Sequence, residues 1–142
     1  MANGPSLAGK WTYRSYVNST DLVSDADGAL ALIFGQGIFT FVTPSSTVLQ
    51  GNLDMGGGLV LDLQGTIQPA ADKCPLTVAI VGNGRAGTKT DGWEYDYNGY
   101  LAHQWPNGVN QVPALVGSVI RAKPHNGSPA GFVASFIAVK QS

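Results

Sequence analysis

The stretch Gly92–Trp105, GWEYDYNGYLAHQW, decides how this chain folds. It holds two of the three tryptophans, three of the five tyrosines and one of the two histidines. Trp93, Tyr95, Tyr97, Gly99 and Leu101 alternate with Glu94, Asp96, Asn98, Tyr100 and Ala102. Side chains of a strand point to opposite faces with a period of two, so this is a strand with an aromatic face. On a helix the same rings would scatter around the axis. Only one set can face a core. Burying two unpartnered carboxylates costs several kcal/mol, whereas burying three aromatic rings gains roughly 2 kcal/mol each. Trp93, Tyr95 and Tyr97 are therefore expected inside, with Glu94 and Asp96 outside.

The same period recurs on both sides of this stretch. Lys10–Asn18 places Trp11, Tyr13, Ser15 and Val17 on one face and Lys10, Thr12, Arg14 and Tyr16 on the other. Asp25-Ala26-Asp27-Gly28 reads as a turn. It lacks the further ligands and closing glutamate of a calcium loop. Ala29–Phe34 and Gly37–Thr43 are apolar runs around Gly35-Gln36-Gly37, either one long bulged strand or a tight hairpin. Pro44-Ser45-Ser46 predicts a turn. Thr47–Met55 and Leu59–Gln68 flank a Gly56-Gly57-Gly58 hairpin tip, and Pro69–Pro75 is a loop. Leu76–Val81 is a strand apolar on both faces. Past the aromatic strand, Pro106-Asn107-Gly108 turns the chain. Val112–Lys123 and Gly131–Lys140 follow as strands, joined by Pro124–Ala130.

Eight or nine strands with short sequential connections imply an all-β fold. The expected architecture is a single antiparallel up-and-down β-barrel of about eight strands spanning residues 1–142, because closure removes edge strands.

Gly82-Asn83-Gly84-Arg85-Ala86-Gly87 matches the dinucleotide fingerprint G-x-G-x-x-G letter by letter. The fingerprint needs a helix immediately after it, whose N-terminus holds the pyrophosphate. Thr88-Lys89-Thr90-Asp91-Gly92 and then the aromatic strand leave no room for one. These glycines are expected to shape a hairpin loop.

Composition narrows the function classes. Charged residues make up 12% of the chain, about half of the roughly 25% usual for globular proteins. With strands apolar on both faces, that sparse charge predicts a homo-oligomer, dimer or tetramer, packed through outer barrel faces. All nine acidic residues lie at or before Asp96, and only Arg121, Lys123 and Lys140 carry charge after it. The few cations are not clustered on aromatics, so no nucleic-acid partner is expected. No segment approaches the ~20 apolar residues of a membrane helix. MANGPSLAGK has no apolar signal-peptide run, which predicts cytoplasmic residence. Asn18-Ser19-Thr20 and Asn126-Gly127-Ser128 are then turn sequences rather than glycosylation sites.

Catalytic and metal signals are thin. Cys74 is the single cysteine, with no histidine or asparagine partner evident in sequence. His103 and His125 stand 22 residues apart, without metal-type spacing to each other or to Cys74. No metal and no cofactor is expected. Glu94 and Asp96, at i and i+2, have Cα atoms ~6.5–7 Å apart. That separation suits a glycosidase pair, but catalytic pairs normally converge from separate elements, and a solvent-facing pair is the simpler account.

Leu7-Ala8-Gly9-Lys10-Trp11-Thr12 resembles the opening of the calycin barrels, which begin with a Gly-x-Trp strand. It is closest to the avidin/streptavidin type, where Gly-Lys-Trp-Thr is common. Ala26-Asp27-Gly28-Ala29-Leu30, the strand from Trp93, and the strands over 112–123 and 131–140 follow in the same order. Phe136 and Val139-Lys140 resemble the closing pattern. The resemblance implies a small-molecule-binding barrel with an apolar or aromatic ligand in its lumen. It does not extend to biotin. Tyr13 stands where the family has a polar asparagine, and Ala134 stands where it has an aspartate. In lipocalin-type barrels the first tryptophan packs against a late arginine, a role that Arg121 could fill for Trp11 or leave by pointing to solvent.

The expected ligand contacts are Trp11, Tyr13, Trp93, Tyr95, Tyr97 and Phe136. Aromatic walls with hydroxyl and indole donors are the common fabric of ligand pockets. Two alternatives stand beside this one: a cofactor-free lyase or isomerase using the histidines and tyrosines, and a structural oligomer whose lumen is filled by its own side chains.

Overall fold

Each alternating run becomes a strand in the computed structural model, which describes residues 6–18, 22–102 and 112–141. The strands are β1 (Gly9–Val17), β2 (Ile33–Ser45), β3 (Val48–Asp54), β4 (Val60–Gln68), β5 (Thr77–Gly84), β6 (Glu94–Leu101), β7 (Ala114–Arg121) and β8 (Val133–Lys140). Every neighbour pair is antiparallel, and β8 returns to β1 to close the barrel in sequence order. The expected eight-stranded up-and-down barrel is the fold observed.

Period two decides what lies inside. Trp11, Tyr13 and Ser15 of β1, Leu61 and Leu63 of β4, Val78 and Ile80 of β5, Tyr95 and Tyr97 of β6, and Ala134, Phe136 and Ala138 of β8 are all buried. Between them, Thr12, Arg14, Asp62, Ala79, Val81 and Ser135 are exposed. Glu94 and Asp96 sit half-buried on the outer face.

Three local expectations change, and one choice left open by the sequence is resolved. Ala29 and Leu30 leave the predicted strand and join a single-turn helix, α1 (Ala26–Leu30). Asp25 caps it, its Oδ1 accepting from the Gly28 N–H at 2.7 Å. The next run is one strand: β2 passes through Gly35-Gln36-Gly37, and its register against β1 shifts between Ser15 and Tyr16. Pro44 and Ser45 end that strand rather than turning it, so the turn falls at Ser46-Thr47. Finally, Gly82 and Gly84 belong to β5, not to a loop. A Cβ at Gly82 would lie 3.2 Å from the Tyr97 ring and 3.1 Å from Leu63, so glycine there lets the strand pass the inward phenol without crowding it. No helix follows. The 85–93 turn is pinned by Thr90, whose hydroxyl donates to the Val60 carbonyl at 2.8 Å, and by a bidentate Arg85–Asp62 ion pair at 2.9 Å.

The two barrel ends differ. At one end the segment before β1 folds underneath: Leu7 is buried, its carbonyl accepts from Trp11 Nε1 at 2.9 Å, and Trp11 packs on Phe41. At the other end lie the 22–32, 55–59, 85–93 and 122–132 segments. Arg121 belongs to this second end. Its N–H bonds the Phe132 carbonyl, whereas Trp11 pairs with Lys140, eight residues or ~26 Å further along β8. The arginine–tryptophan seal expected from the lipocalin resemblance is therefore not formed, nor does Arg121 point to solvent.

Candidate functional site

The lumen is filled in its lower part and hollow above. From the closed end, Trp11 meets Phe41, Phe41 stacks on Phe39 at 4.9 Å, and Phe39 meets the edges of Tyr13 at 4.8 Å and Tyr97 at 5.6 Å. Phe136 fits beside them because β6 has Gly99 at that level; a Cβ there would sit 3.0 Å from the Phe136 ring. Above Tyr13 and Tyr97 opens a cavity of about 400 Å³. Tyr13 and Tyr97 form its floor, Leu61 and Val119 its walls, and Phe34, Met55, Trp93, Tyr95 and Arg121 its rim.

Four of the six expected contacts, Tyr13, Trp93, Tyr95 and Tyr97, thus line one cavity. Trp11 and Phe136 do not; they lie within the packed layers beneath it. The floor is dry enough that burial pushes the Tyr13 phenol up to about 12 and raises Tyr97 well above its ordinary value. Both hydroxyls stay neutral, as donors or acceptors, at any physiological pH.

The rim carries residues that the alternation alone did not assign to a site. Arg121 is only 7% exposed. Its guanidinium lies against Phe132 at 5.1 Å, Phe34 at 5.5 Å and Tyr95 at 5.8 Å from ring centroid to Cζ. Its Nε donates to the Tyr95 hydroxyl at 3.1 Å and its Nη1 to the Pro129 carbonyl at 3.2 Å. The Tyr95 hydroxyl also lies 2.7 Å from His125 Nε2. His125 stacks on Trp93 with centroids 4.1 Å apart. Burial, and then the Arg121 charge, lower the His125 pKa below the usual 6.5, so the imidazole is neutral near pH 7. Arg121 Nε and His125 Nε2 are thus the two partners of the phenol oxygen.

Arg121 had a sequence signal, since it shares the alternation of Leu115 and Val119. Ser15 had one too, following Trp11 and Tyr13. His125 had none: it reaches the rim through a tight turn in which Asn126 and Gly127 take φ 50° and 79°. His103 and Trp105, and the Pro106-Asn107-Gly108 turn, lie outside the described residues, as do Ser19 and Thr20. Cys74 is exposed, and among the described residues no three His, Cys, Asp or Glu side chains gather as a metal site. No described helix is long and apolar enough to cross a membrane.

Fold and site together define a closed antiparallel barrel, compatible with the calycin class, that is packed at one end and cupped at the other. Compared with protein-family models, with curated proteins and with solved structures, the chain matches none.

Proposed function

We propose that the barrel binds one small, largely apolar or aromatic molecule in the cup above Tyr13 and Tyr97. The observation that carries this is the cavity of about 400 Å³, set in a lumen whose lower part is already filled by its own side chains. Ligand cavities run from about 300 to 1,000 Å³ and are mostly apolar with a few placed polar groups. A dry cavity of ~150 Å³ holds one benzene, so a two-ring body suits this one. Tyr13, Trp93, Tyr95 and Tyr97 are the proposed contacts, with Trp11 and Phe136 supporting the floor. Within the calycin class we read the barrel as avidin-like, on its Gly9-Lys10-Trp11 opening and its strand order. Biotin is not the proposed ligand, because Ala134 offers no carboxylate to a ureido group. Calorimetry with 2-naphthol tests the cup. Saturable heat from one site, abolished by Met55→Trp with the circular dichroism unchanged, supports it; no binding of 2-naphthol overturns it.

A second account, a cofactor-free isomerase or lyase, draws on the Tyr95 hydroxyl held between Arg121 Nε and His125 Nε2 at the cavity rim. Such a hydroxyl can pass a proton between ligand and imidazole. Turnover of a bound compound, lost on both Tyr95→Phe and His125→Ala, would support it. We place the protein in the cytoplasm, where an exposed free thiol such as Cys74 stays reduced. We also propose self-association through the outer wall of β6, β7 and β8, where Tyr100, Ile137 and Val139 stand exposed.

A further inference from the structure

We propose that the ligand of the cup is an organic anion, an aromatic or apolar body bearing a carboxylate, and that Arg121 at the rim is the residue that selects it. This rests on the cup being a ligand site, and it names the chemistry of the occupant.

Arg121 carries a full positive charge in a place where charge is expensive. It is 93% buried, and no carboxylate pairs with it among the described residues. Its hydrogen-bond partners, the Tyr95 hydroxyl and the Pro129 carbonyl, are neutral. The rings of Phe34, Phe132 and Tyr95 soften the charge through their quadrupoles without cancelling it. A buried cation normally comes with a counter-ion, because desolvation is repaid only by a close opposite charge.

The two acidic residues that flank Tyr95 on the neighbouring strand, Glu94 and Asp96, face the outer wall, where Lys123 Nζ lies 3.6 Å from the Glu94 carboxylate. The neighbouring imidazole, held neutral, adds no anion either.

Geometry directs the remaining donors into the cup. Arginine has five N–H donors, of which Nε and Nη1 hold the side chain against Tyr95 and Pro129. Nη2 bonds no described residue, and Arg121 lines the cavity. A planar guanidinium fixed in this way recognises a planar carboxylate, and fixing it beforehand reduces the ordering cost on binding. The Tyr95 hydroxyl beside it supplies a second polar contact. The rest of the cavity, Leu61, Val119, Met55 and the rings, takes the apolar body. The carboxylate therefore sits at the rim and the body points down towards Tyr13 and Tyr97.

A matched pair of probes tests this by calorimetry at pH 7.5: 2-naphthoate, and the neutral 2-naphthamide of the same shape. Wild-type protein is expected to bind the acid at least tenfold more tightly than the amide. Arg121→Gln should abolish that preference, weakening the acid at least tenfold more than the amide. Arg121→Lys, which keeps the charge but not the fork, should retain only part of it. If Arg121→Gln does not fold, the wild-type comparison still decides. Equal affinities for acid and amide overturn the anion inference and leave the cup intact. Failure of both probes overturns the cup itself and the inference with it.

Discussion

His125 lies flat on Trp93, the two rings 15° from parallel with centroids 4.1 Å apart, so a loop residue far along the chain caps the aromatic strand. The contact desolvates the imidazole, and Arg121 repels a proton from it; both lower its pKa. The unfolded chain, with a pKa near 6.5, then binds a proton at higher pH than the native protein does. The stability this confers is whole above pH 6.5 and is lost as pH falls from there through the folded value. Urea unfolding of the wild type and His125→Gln at pH 7.5 and pH 5 should show the wild type losing more. Equal losses, or a His125 NMR titration midpoint above 6.5, would refute the linkage.

Asp96 gives the opposite slope. Its Oδ1 is buried on the outer wall with no described donor, and Glu94 stands on the same face. Burial first, then hydrogen bonding with Glu94 and the Glu94 charge, raise its pKa above 3.8. A carboxyl that holds its proton more tightly when folded destabilises the native state once both states are ionised, and that cost disappears as pH falls through the raised value. Asp96→Asn should therefore stabilise the protein at pH 7, on the order of a few tenths of a kcal/mol after solvent screening. The gain should shrink towards pH 4. Destabilisation at pH 7 would show that Asp96 is partnered in solution.

Gly99 and Phe136 form a fitted pair. Gly99→Ala drives a Cβ to 3.0 Å from the Phe136 ring and 2.7 Å from the Val116 carbonyl. Overpacking of this kind costs about 1–3 kcal/mol. Phe136→Leu in the same chain should recover part of the loss by relieving the ring contact. Strict additivity of the two changes in denaturant unfolding would mean that the backbone clash with Val116 carries the whole effect.

The outer wall makes the assembly proposal measurable. Tyr100 and Ile137 both face Val116, their β7 neighbour in register. Ile137 is 41% exposed and Tyr100 46%. Light scattering after gel filtration should give a dimer or tetramer mass, and Ile137→Glu should reduce it. A monomer mass for the wild type would remove the proposal and leave the wall as an ordinary mixed surface.

Where period two was continuous, the chain was legible. Trp93, Tyr95 and Tyr97 could be placed inside because the alternative buried two carboxylates. Ala29 and Leu30 were misplaced because an apolar pair carries no period, while the Asp25 cap that starts α1 reads equally well as a turn. The glycines of β5 look like loop residues in sequence; only the facing Tyr97 ring gives Gly82 its reason. The cup was legible as an aromatic face but not as a volume. Trp11 and Phe136 share that inward face yet lie below the layer where packing stops, and a face pattern has no depth coordinate. His125 was out of reach, since its place depends on the turn at Asn126-Gly127.

Both ends of the described chain meet beneath the floor, where Lys140 Nζ bonds the Ser6 carbonyl at 2.8 Å and the Gln141 N–H bonds Lys10 at 2.7 Å. A tether joined at Ser6 or Gln141 therefore starts on the side away from the mouth. Fixed to a bead or sensor chip through either residue, the barrel would present its cup outward, and immobilised binding should match that in free solution.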